Sequence, residues 1–524
     1  MMLWFCLPIL TLKVLIVVSE LCIIRTPNLN GECFKLRLNK ENLRRFSEAV
    51  RIPTYDRNIL TPGILHLSVG NFHRGHMAVY LDELFEQGED LDWAVIGASL
   101  RPSAVEMRES LKAQDYLTTV IELAPSAISA HIVSSMVDFL PSDPIEILNV
   151  LSDGKIRIVS LTITESGYYI DAATGEFAAA HPEMTRDAKS PDTPASLFGV
   201  LVKALKSRRD AGIEPFTILS CDNLPGNGNL TRQTVLGLAR LSDPELADWI
   251  AVSVSFPNSM VDRIVPATTN RERRLVEDHF GIIDELPVVC EPFRQWVVED
   301  HFPSGRPHLE KVGVEFVTDV SGYELMKLRI LNAAHASMCY PALLLGHHFV
   351  HDAMADPDIF QWIKTLLTNE AIPTLKPLPA VDYHQYLDQV LERFSNTEIG
   401  DTMLRIAEEG SERQPKFILP AVIDALDAGK SVDGFALEIA LWCRYCLAED
   451  ERGQLITVKD LKAAELFQFS EASKTRSDAF LDNIEVFGSL GQNTLFSEPF
   501  CYWLRYIHRL GVRAAIRKYL AKEK

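Results

Sequence analysis

The sequence is poor in cysteine and has no basic block, and each shortage argues against a class of protein. Nine cysteines are scattered over 524 residues, so we expect a reducing compartment, the cytoplasm, rather than a disulfide scaffold. Cys443 and Cys446 form a lone C-x-x-C, whereas a zinc site needs two more ligands. The formal net charge is -19, which disfavours nucleic acid and anionic membrane surfaces as partners.

The N-terminus combines a strongly apolar stretch with missing targeting signals. Residues 1–24 read MMLWFCLPILTLKVLIVVSELCII, about the length of a membrane span. No basic region precedes this stretch and no small-residue cleavage site follows it. An anchor, a signal, and translation from upstream of the true start all stay open, and we favour the third. We therefore treat residues 1–45 as an extension and expect no membrane partner unless the segment is native.

The next part of the chain alternates strand and helix patterns. A chain of this length exceeds one hydrophobic core, and its first half predicts a parallel sheet with helices on both faces. Ligands of such sheets bind beyond the carboxyl ends of the strands. The strand patterns lie within Ile64–Val69, Trp93–Leu100, Ile156–Tyr169 and Phe216–Gly228, and the polar residues at their ends are Asn71, Thr164, Glu165, Asp222 and Asn223.

From about Val320 onward long helical patterns replace the strand patterns. The predicted fold class is therefore α/β, with a parallel-sheet domain over residues 46–318 and a mostly α-helical domain over 319–524. The proline-rich stretch Ala371–Ala380 is predicted to be a connector.

The turn after the first strand is a degenerate nucleotide-binding turn. It reads Ser68-Val69-Gly70-Asn71-Phe72-His73-Arg74, so a serine replaces the first glycine of G-x-G-x-x-G and a histidine the third, which is a weak match. Gly70 would let the backbone approach a pyrophosphate, and the following helix offers unpaired amides. Asn71, Phe72 and Arg74 lie in its first turn, and Arg74 would add a phosphate contact. A generic strand–helix turn is the alternative.

The second strand leaves the choice of cofactor open. An acid at its end usually holds the ribose of NAD, but this strand ends with Arg101, and the next acid is Glu106. Arg101 would instead favour the 2′-phosphate of NADP.

Several segments together resemble the polyol-specific long-chain dehydrogenases, the mannitol dehydrogenase family. They run in family order from about Pro62 onward and read VGNFHRGH, TITESGYY, SCDNLPGNG, SFPNSMVDRIVPATT, CEPFRQWVVED, KLRILNAAH and ERFSN. The resemblance implies a Rossmann-type NAD-binding domain, a helical domain and an active site between them. It also implies a metal-independent, NAD-dependent interconversion of a polyol and a ketose. We expect Thr164 and Glu165 beside the cofactor, because they lie at the end of a predicted strand.

The family pattern Lys-x4-Asn-x2-His falls on Lys327, Asn332 and His335. The resemblance implies that Lys327 is the base, that Asn332 and Asn223 stabilise the developing alkoxide, and that His335 orients the hydroxyl. Glu324 would carry the proton to solvent.

Helical geometry supports this row of residues. At about 100° per residue, Glu324, Asn332 and His335 fall near 60°, 140° and 80° from Lys327. One helix can therefore direct all four side chains into one cleft. For Lys327 to act as a base, burial must bring its pKa from about 10.4 towards neutrality.

The resemblance also implies substrate contacts from Asp262, Arg405 and Arg413, since Asp and Arg side chains can each hold two hydroxyls. Lys416 competes with Arg413 for this role, and Arg413 could instead be a surface charge.

Two other motifs compete with this interpretation. Tyr323-x3-Lys327 occurs in short-chain dehydrogenases, but here it lies too far from the glycine turn. His347, His348 and His351 include an i, i+4 pair that suits zinc. No H-E-x-x-H glutamate accompanies them, so we interpret them as structural and expect no metal.

The substrate is the least determined feature. VGNFHRGHMAVYLDELF and MRESLKAQDYLTTV look most like the bacterial mannitol 2-dehydrogenases, which favours D-mannitol and D-fructose. Fructuronate or tagaturonate reduction, arabinitol or sorbitol oxidation, and a non-catalytic sensor remain alternatives. We expect a monomer or a small homo-oligomer.

Overall fold

The computed structural model describes residues 35–522 apart from 47, 172, 173 and 380, so the apolar N-terminal stretch lies outside the described residues. The centre of the first domain is a five-stranded parallel sheet. Most residues of its strands are buried, because the strands consist mainly of apolar runs. In spatial order they are Met136–Phe139, Ala94–Ala98, Pro62–Leu67, Ile158–Leu161 and Thr217–Ser220.

This strand order is 3-2-1-4-5, the order of a Rossmann-type sheet. The chain reverses direction across the sheet between Pro62–Leu67 and Ile158–Leu161, so a crevice opens at the carboxyl ends of these two strands. Apolar cores cover both faces. The helices of this domain are Asn71–Gly75, Met77–Glu86, Ala104–Ala113, Pro144–Ser152, Pro182–Lys189, Leu197–Ala211, Asn227–Ser242, Pro244–Ser253 and Asn270–Phe280.

Three smaller sheets extend the first domain. A mixed sheet contains Val288–Cys290, Thr118–Ala124, Ala127–Val133 and Val50–Arg51, and another contains Ser259–Asp262, Gln295–Glu299 and Glu315–Val317. In the third, Leu36–Arg37 pairs with Ile282–Ile283, and Leu38 is buried beside it. Residues 36–38 therefore pair and pack with the first domain.

The second domain is helical around one large apolar core. Within the described residues no helix is both long and apolar enough to span a bilayer. The structure confirms the predicted fold class. The helices are Ser321–Lys327, Leu328–Asn332 (a π-helical turn), Ala333–Leu344, Val350–Ala355, Pro357–Leu366, Leu367–Ala371 (also π-helical), Tyr383–Phe394, Met403–Ile406, Gly410–Phe417, Leu419–Asp427, Asp433–Tyr445, Ala463–Ser473, Ile484–Phe487, Thr494–Leu510 and Val512–Lys522.

The helix predicted after the first strand is divided in two. His76, with φ −129° and ψ −88°, ends Asn71–Gly75 and begins Met77–Glu86. The predicted connector Ala371–Ala380 contains the 3₁₀ turn Ile372–Thr374, and Ala380 lies outside the described residues.

Candidate active site

The polar loops of the first domain converge because parallel strands end at the same edge of a sheet. Ser68–Gly70 follows the first strand, Thr162–Glu165 follows Ile158–Leu161, and Asp222–Asn223 follows Thr217–Ser220. The site helix, which we define as Ser321–Leu344, contacts this edge through Lys327 and Glu324. The candidate site therefore lies between the two domains.

The glycine turn has the space that a bound nucleotide needs. A Cβ added to Gly70 would meet only the Ser68 carbonyl oxygen, at 3.9 Å. Ser68, in the place of the first fingerprint glycine, has a left-handed backbone with φ 67°. Helix Asn71–Gly75 begins at Gly70, and the first amides of a helix lack partners within that helix. Gly70 therefore fits its predicted role beside a pyrophosphate.

The predicted phosphate contact of Arg74 does not fit the structure. The side chain is 1% exposed and donates to the Leu286 carbonyl and, at 2.7 Å, to Asn71 Oδ1. Asn71 Nδ2 donates in turn to Thr268 Oγ1 at 2.9 Å. The side chains of Arg74 and Asn71 therefore connect the turn to Leu286 and Thr268. Phe72 stacks on the ring of His76 at 4.7 Å between centroids.

Asp222 shapes the second loop of the crevice. Its carboxylate accepts from the Ile163 and Thr164 amides at 2.8 and 2.9 Å and from the Tyr168 hydroxyl at 2.6 Å. These bonds hold Thr164 at φ 64° and ψ 169°, a backbone region in which glycine is the usual residue. Thr164 and Glu165 are exposed at this edge.

Arg101 lies at the same edge. Its guanidinium donates to the Ile163 carbonyl at 3.0 Å, and the residue is exposed. Arg101 is thus close to the loop that Asp222 shapes, where the second strand ends.

Lys327 is buried at the junction of the domains, with 8% of its surface exposed. Its Nζ donates to Asn223 Oδ1 and to the Val261 carbonyl, both at 2.6 Å. Burial lowers the pKa of this amine, and Arg393 adds to that effect, whereas Asp262 and Glu324 oppose it. A neutral amine has two N–H donors and one lone pair. In that neutral form, the two bonds would use both N–H donors and leave the lone pair free to accept a proton.

Asn332 and His335 present unpaired polar atoms beside the lysine on the site helix. Within the described part of the chain, Asn332 Oδ1 and His335 Nε2 are buried without a hydrogen-bond partner. The His335 ring stacks on Phe394 at 4.2 Å, and burial lowers its pKa to about 3. Buried polar atoms are normally paired, so these two atoms are candidates to bind substrate hydroxyls.

The helical spacing differs from the predicted one. Leu328–Asn332 forms a π-helical turn, in which hydrogen bonds run from i to i+5 and bring residues five apart onto one side. Asn332, which is five residues after Lys327, therefore lies closer to the lysine's side of the helix than the predicted 140° implies. The uniform 100° rule is wrong across this turn.

Glu324 contacts the first domain. Its Oε1 accepts from the Gly226 amide at 2.9 Å, just before helix Asn227–Ser242. Burial raises the pKa of this carboxyl, and the Gly226 bond opposes the rise. Glu324 therefore has a titratable carboxyl between the lysine and the domain junction.

Asp262 is ion-paired with Arg393, for which no role was predicted. Arg393 donates to both Asp262 oxygens, at 2.8 and 2.9 Å, and to both oxygens of Glu291, at 2.8 and 2.9 Å. Burial alone would raise the pKa of Asp262, but Arg393 and Lys327 together lower it. The sequence does contain a pattern that could have identified Arg393. It lies three residues after Val390 on the buried side of a helix, where a charged side chain needs a partner.

Arg405 and Arg413 lie in the neighbourhood of His335, since both guanidinium charges, with Asp401, act on its imidazole. Arg405 is exposed and donates to Asp401 at 2.6 Å. Arg413 is half-buried and donates to the Ile406 carbonyl.

The side chains of the competing motifs pack against or contact other protein groups. Tyr323 is buried in the apolar core of the helical domain, and Cys443 and Cys446 are buried free thiols. His347 Nε2 contacts Asp356 at 3.2 Å, and His351 stacks on Phe349. His348 hydrogen-bonds Met403 through its backbone carbonyl. Among the residues from 35 to 522 that are described, no cluster of three His, Cys, Asp or Glu side chains is arranged to hold a metal ion.

Comparison with family models gives two matches. The mannitol dehydrogenase Rossmann domain matches residues 62–311, and the mannitol dehydrogenase C-terminal domain matches residues 319–507. A mannitol 2-dehydrogenase of Cereibacter sphaeroides is 49% identical over 477 residues, which are 91% of this chain and 100% of that protein.

Two solved structures have the same overall architecture. One is the Pseudomonas fluorescens mannitol 2-dehydrogenase in a ternary complex with NAD and D-mannitol. It has a TM-score of 0.82 and 39% identity, and the match covers 93% of this chain and 100% of that one. The other is a substrate-free D-sorbitol dehydrogenase with a TM-score of 0.86 and 37% identity, covering 91% of this chain and 100% of that one.

Proposed function

The chain belongs to the mannitol dehydrogenase family, and on that premise we propose that it is an NAD-dependent polyol dehydrogenase that interconverts D-mannitol and D-fructose. The observation that carries this proposal is the buried amine of Lys327, bonded to Asn223 and to the Val261 carbonyl. The unpaired atoms of Asn332 and His335 accompany it.

The crevice at the end of the parallel sheet fits a dinucleotide. Gly70, Asn71 and Phe72 form the turn that would hold the pyrophosphate, and Thr164 and Glu165 form the opposite edge. When bound, NAD supplies the acceptor for the hydride that leaves the alcohol carbon. Arg101 at the end of the second strand keeps NADP as a cofactor to be tested.

Oxidation of a secondary alcohol requires loss of the hydroxyl proton. Lys327 takes this proton with the lone pair that its two hydrogen bonds leave free, so no metal is needed to activate the hydroxyl. Asn223 accepts from Lys327 through Oδ1, and its NH₂ group can donate to the developing alkoxide. Glu324, whose carboxyl is half-buried, then relays the proton from Lys327 towards solvent.

The remaining groups hold the polyol. Asn332 donates through Nδ2 to the developing alkoxide and accepts from a neighbouring hydroxyl through Oδ1, while His335 Nε2 orients the reacting hydroxyl. These contacts fix the alcohol for hydride transfer. Asp262, Arg405 and Arg413 bind hydroxyls further along the chain of carbons. Arg413 would also bind the carboxylate of a uronate, which keeps fructuronate and tagaturonate as alternatives.

The charge of -19 and the free thiols described in the structure support a protein of the cytoplasm that acts on a small polyol without nucleic-acid partners. A monomer or a small homo-oligomer is part of this proposal.

The test is an assay of cofactor reduction and oxidation with the full chain. NAD and NADP are each supplied with mannitol, sorbitol and arabinitol, and NADH and NADPH with fructose and fructuronate. We expect the highest kcat/KM with mannitol and NAD. Sorbitol is the second candidate, because a sorbitol dehydrogenase has the same architecture. Turnover of fructuronate alone, or of no substrate, would contradict the proposal.

A further inference from the structure

The segment Glu392–Asn396, at the end of helix Tyr383–Phe394, joins the two domains beside Lys327. Arg393 binds Asp262 and Glu291 of the first domain, each through two hydrogen bonds. Phe394 stacks on His335 at 4.2 Å. Asn396 Nδ2 donates to the Leu123 carbonyl at 2.7 Å. One short segment therefore contacts both sides of the proposed site.

The ion triad of Arg393, Asp262 and Glu291 is enclosed. Its side chains are 6%, 5% and 3% exposed, in that order, and Arg393 also lies over the ring of Phe293 at 4.0 Å. Buried charges persist only where they are paired and hydrogen-bonded. A planar guanidinium can bind two carboxylates through two hydrogen bonds each, whereas a lysine ammonium supplies the same charge without this bidentate geometry.

The triad also sets the charge around the catalytic amine. Asp262, at the end of strand Ser259–Asp262, attracts the proton of Lys327, and Arg393 from helix Tyr383–Phe394 repels it. Glu324 on the site helix attracts the proton as well. Glu291, after strand Val288–Cys290, acts on Arg393 and Asp262. Without Arg393, the charge of Asp262 would face Lys327 without compensation.

Asp262 responds to the same neighbours. The basic groups that face it are Arg393, Lys327 and His335, and the Tyr386 hydroxyl donates to it at 3.4 Å. Lys327 and His335 belong to the proposed catalytic row, where burial lowers the pKa of each, so Arg393 is the basic group whose positive charge is permanent.

We propose that Arg393 is a positioning residue that fixes Asp262 and offsets its charge, so that Lys327 keeps a neutral amine during turnover. This proposal rests on the proposed function, in which Lys327 is the base. It assigns to Arg393 no contact with substrate.

The test is the pH profile of kcat/KM for polyol oxidation in variants of opposite sign. Arg393→Met should move the midpoint of the profile to higher pH by about one unit or more, as expected for a newly uncompensated neighbouring charge. Glu291→Gln should move the midpoint to lower pH. One of the two carboxylates that neutralise Arg393 is then lost, so the guanidinium repels the proton of Lys327 more strongly. Arg393→Lys should return the midpoint towards that of the unaltered protein.

Arg513→Met is the matched control. Arg513 also bridges two carboxylates, Asp356 and Asp358, but within the helical domain. This variant should lower the thermal unfolding temperature and leave the pH midpoint unchanged.

An Arg393→Met variant that is active with an unchanged midpoint would overturn the proposal. If Arg393→Met does not fold, Glu291→Gln provides the test. A pH midpoint that is unchanged or higher in Glu291→Gln would also overturn the proposal. Failure of the proposed function would look different, because Lys327→Ala would then retain turnover with the same pH midpoint.

Discussion

Lys327 is the residue on which the proposed chemistry depends most directly. General base catalysis contributes about 10²–10⁴-fold, so Lys327→Ala should lower kcat for mannitol oxidation by that factor. Binding of NADH should persist, because the nucleotide crevice belongs to the first domain. Steady-state kinetics and quenching of NADH fluorescence measure the two effects.

Lys364→Ala is the control for this prediction. Lys364 is a half-buried lysine of the helical domain, paired with Asp388 at 2.8 Å, and its loss should leave kcat unchanged. Turnover by Lys327→Ala equal to that of the control would exclude Lys327 as the base.

Ser68 has a left-handed backbone conformation, which is unfavourable for a residue with a Cβ atom. Its φ of 67° costs a non-glycine residue about 1–2 kcal/mol, and its Oγ is buried without a partner in the described region. Ser68→Gly should therefore raise the free energy of unfolding by about 1 kcal/mol, even after the greater freedom of glycine in the unfolded chain. Urea unfolding measures this change, and NADH binding should persist.

Ser99→Gly provides the comparison. Ser99 is buried and its Oγ accepts from the Arg101 amide at 3.2 Å, so its replacement should destabilise the protein. Equal losses from both substitutions would show that the Ser68 backbone is not strained.

The π-helical turn sets the angle between Lys327 and Asn332 in the proposed catalytic row. Deleting Leu328 should restore α-helical spacing, in which these two residues become an i, i+4 pair about 40° apart, and so shift Asn332 relative to Lys327. Misplacing a catalytic group by about 1 Å can cost about 10²-fold, so we expect at least that loss of kcat with NADH binding retained. Leu328→Ala keeps the chain length and should stay within several-fold of the unaltered protein. Similar activity of the two variants would mean that the turn does not align the site.

The strands of the central sheet could be predicted because their signal is local. Continuous apolar runs and polar ends located Pro62–Leu67, Ala94–Ala98, Ile158–Leu161 and Thr217–Ser220, each within a few residues. The partnership of Lys327 with the loop after the last of these strands came only from the family resemblance. The composition of the site helix would fit an ordinary buried helix equally well.

The parts that escaped prediction depend on distant contacts. Arg74 turns inward because Leu286, 212 residues away, offers it a carbonyl. Val288–Cys290 pairs with Val120–Glu122, and the local sequence of neither stretch specifies its partner. The i to i+5 turn in the site helix has no residue signature that separates it from an α-helix.

On the scale of the whole molecule, contacts between the domains surround the site. Lys327 bonds to Asn223, Glu324 to Gly226, and Arg393 to Asp262. Each of these pairs takes one partner from each domain, so the proposed base is buried only while the domains are docked. Stability of the docked molecule and catalysis are therefore coupled.

Buried carboxyl groups give this coupling a pH dependence. Burial raises the pKa of Glu438 to about 8, that of Glu370 to about 7 and that of Asp82 to about 6. Between the unfolded and folded pKa values the folded state binds more protons, so the free energy of unfolding falls as the pH rises. A neutral lysine base gains from high pH, whereas the core loses stability there.

Glu438 isolates this effect because its contribution is the largest of the three. It lies within helix Asp433–Tyr445, accepts from Gln414 at 2.7 Å, and is fully buried. The fall in stability due to Glu438 should extend from about pH 4.5 to about pH 8 and then level off. Glu438→Gln should remove that part and, at pH 9, stabilise the protein by on the order of 3 kcal/mol. Urea unfolding from pH 5 to 9 measures the free energy of unfolding of the unaltered protein and of Glu438→Gln. Glu498→Gln, at an exposed position, is the control. If the curves of the unaltered protein and Glu438→Gln stay parallel, Glu438 is not protonated in the folded core.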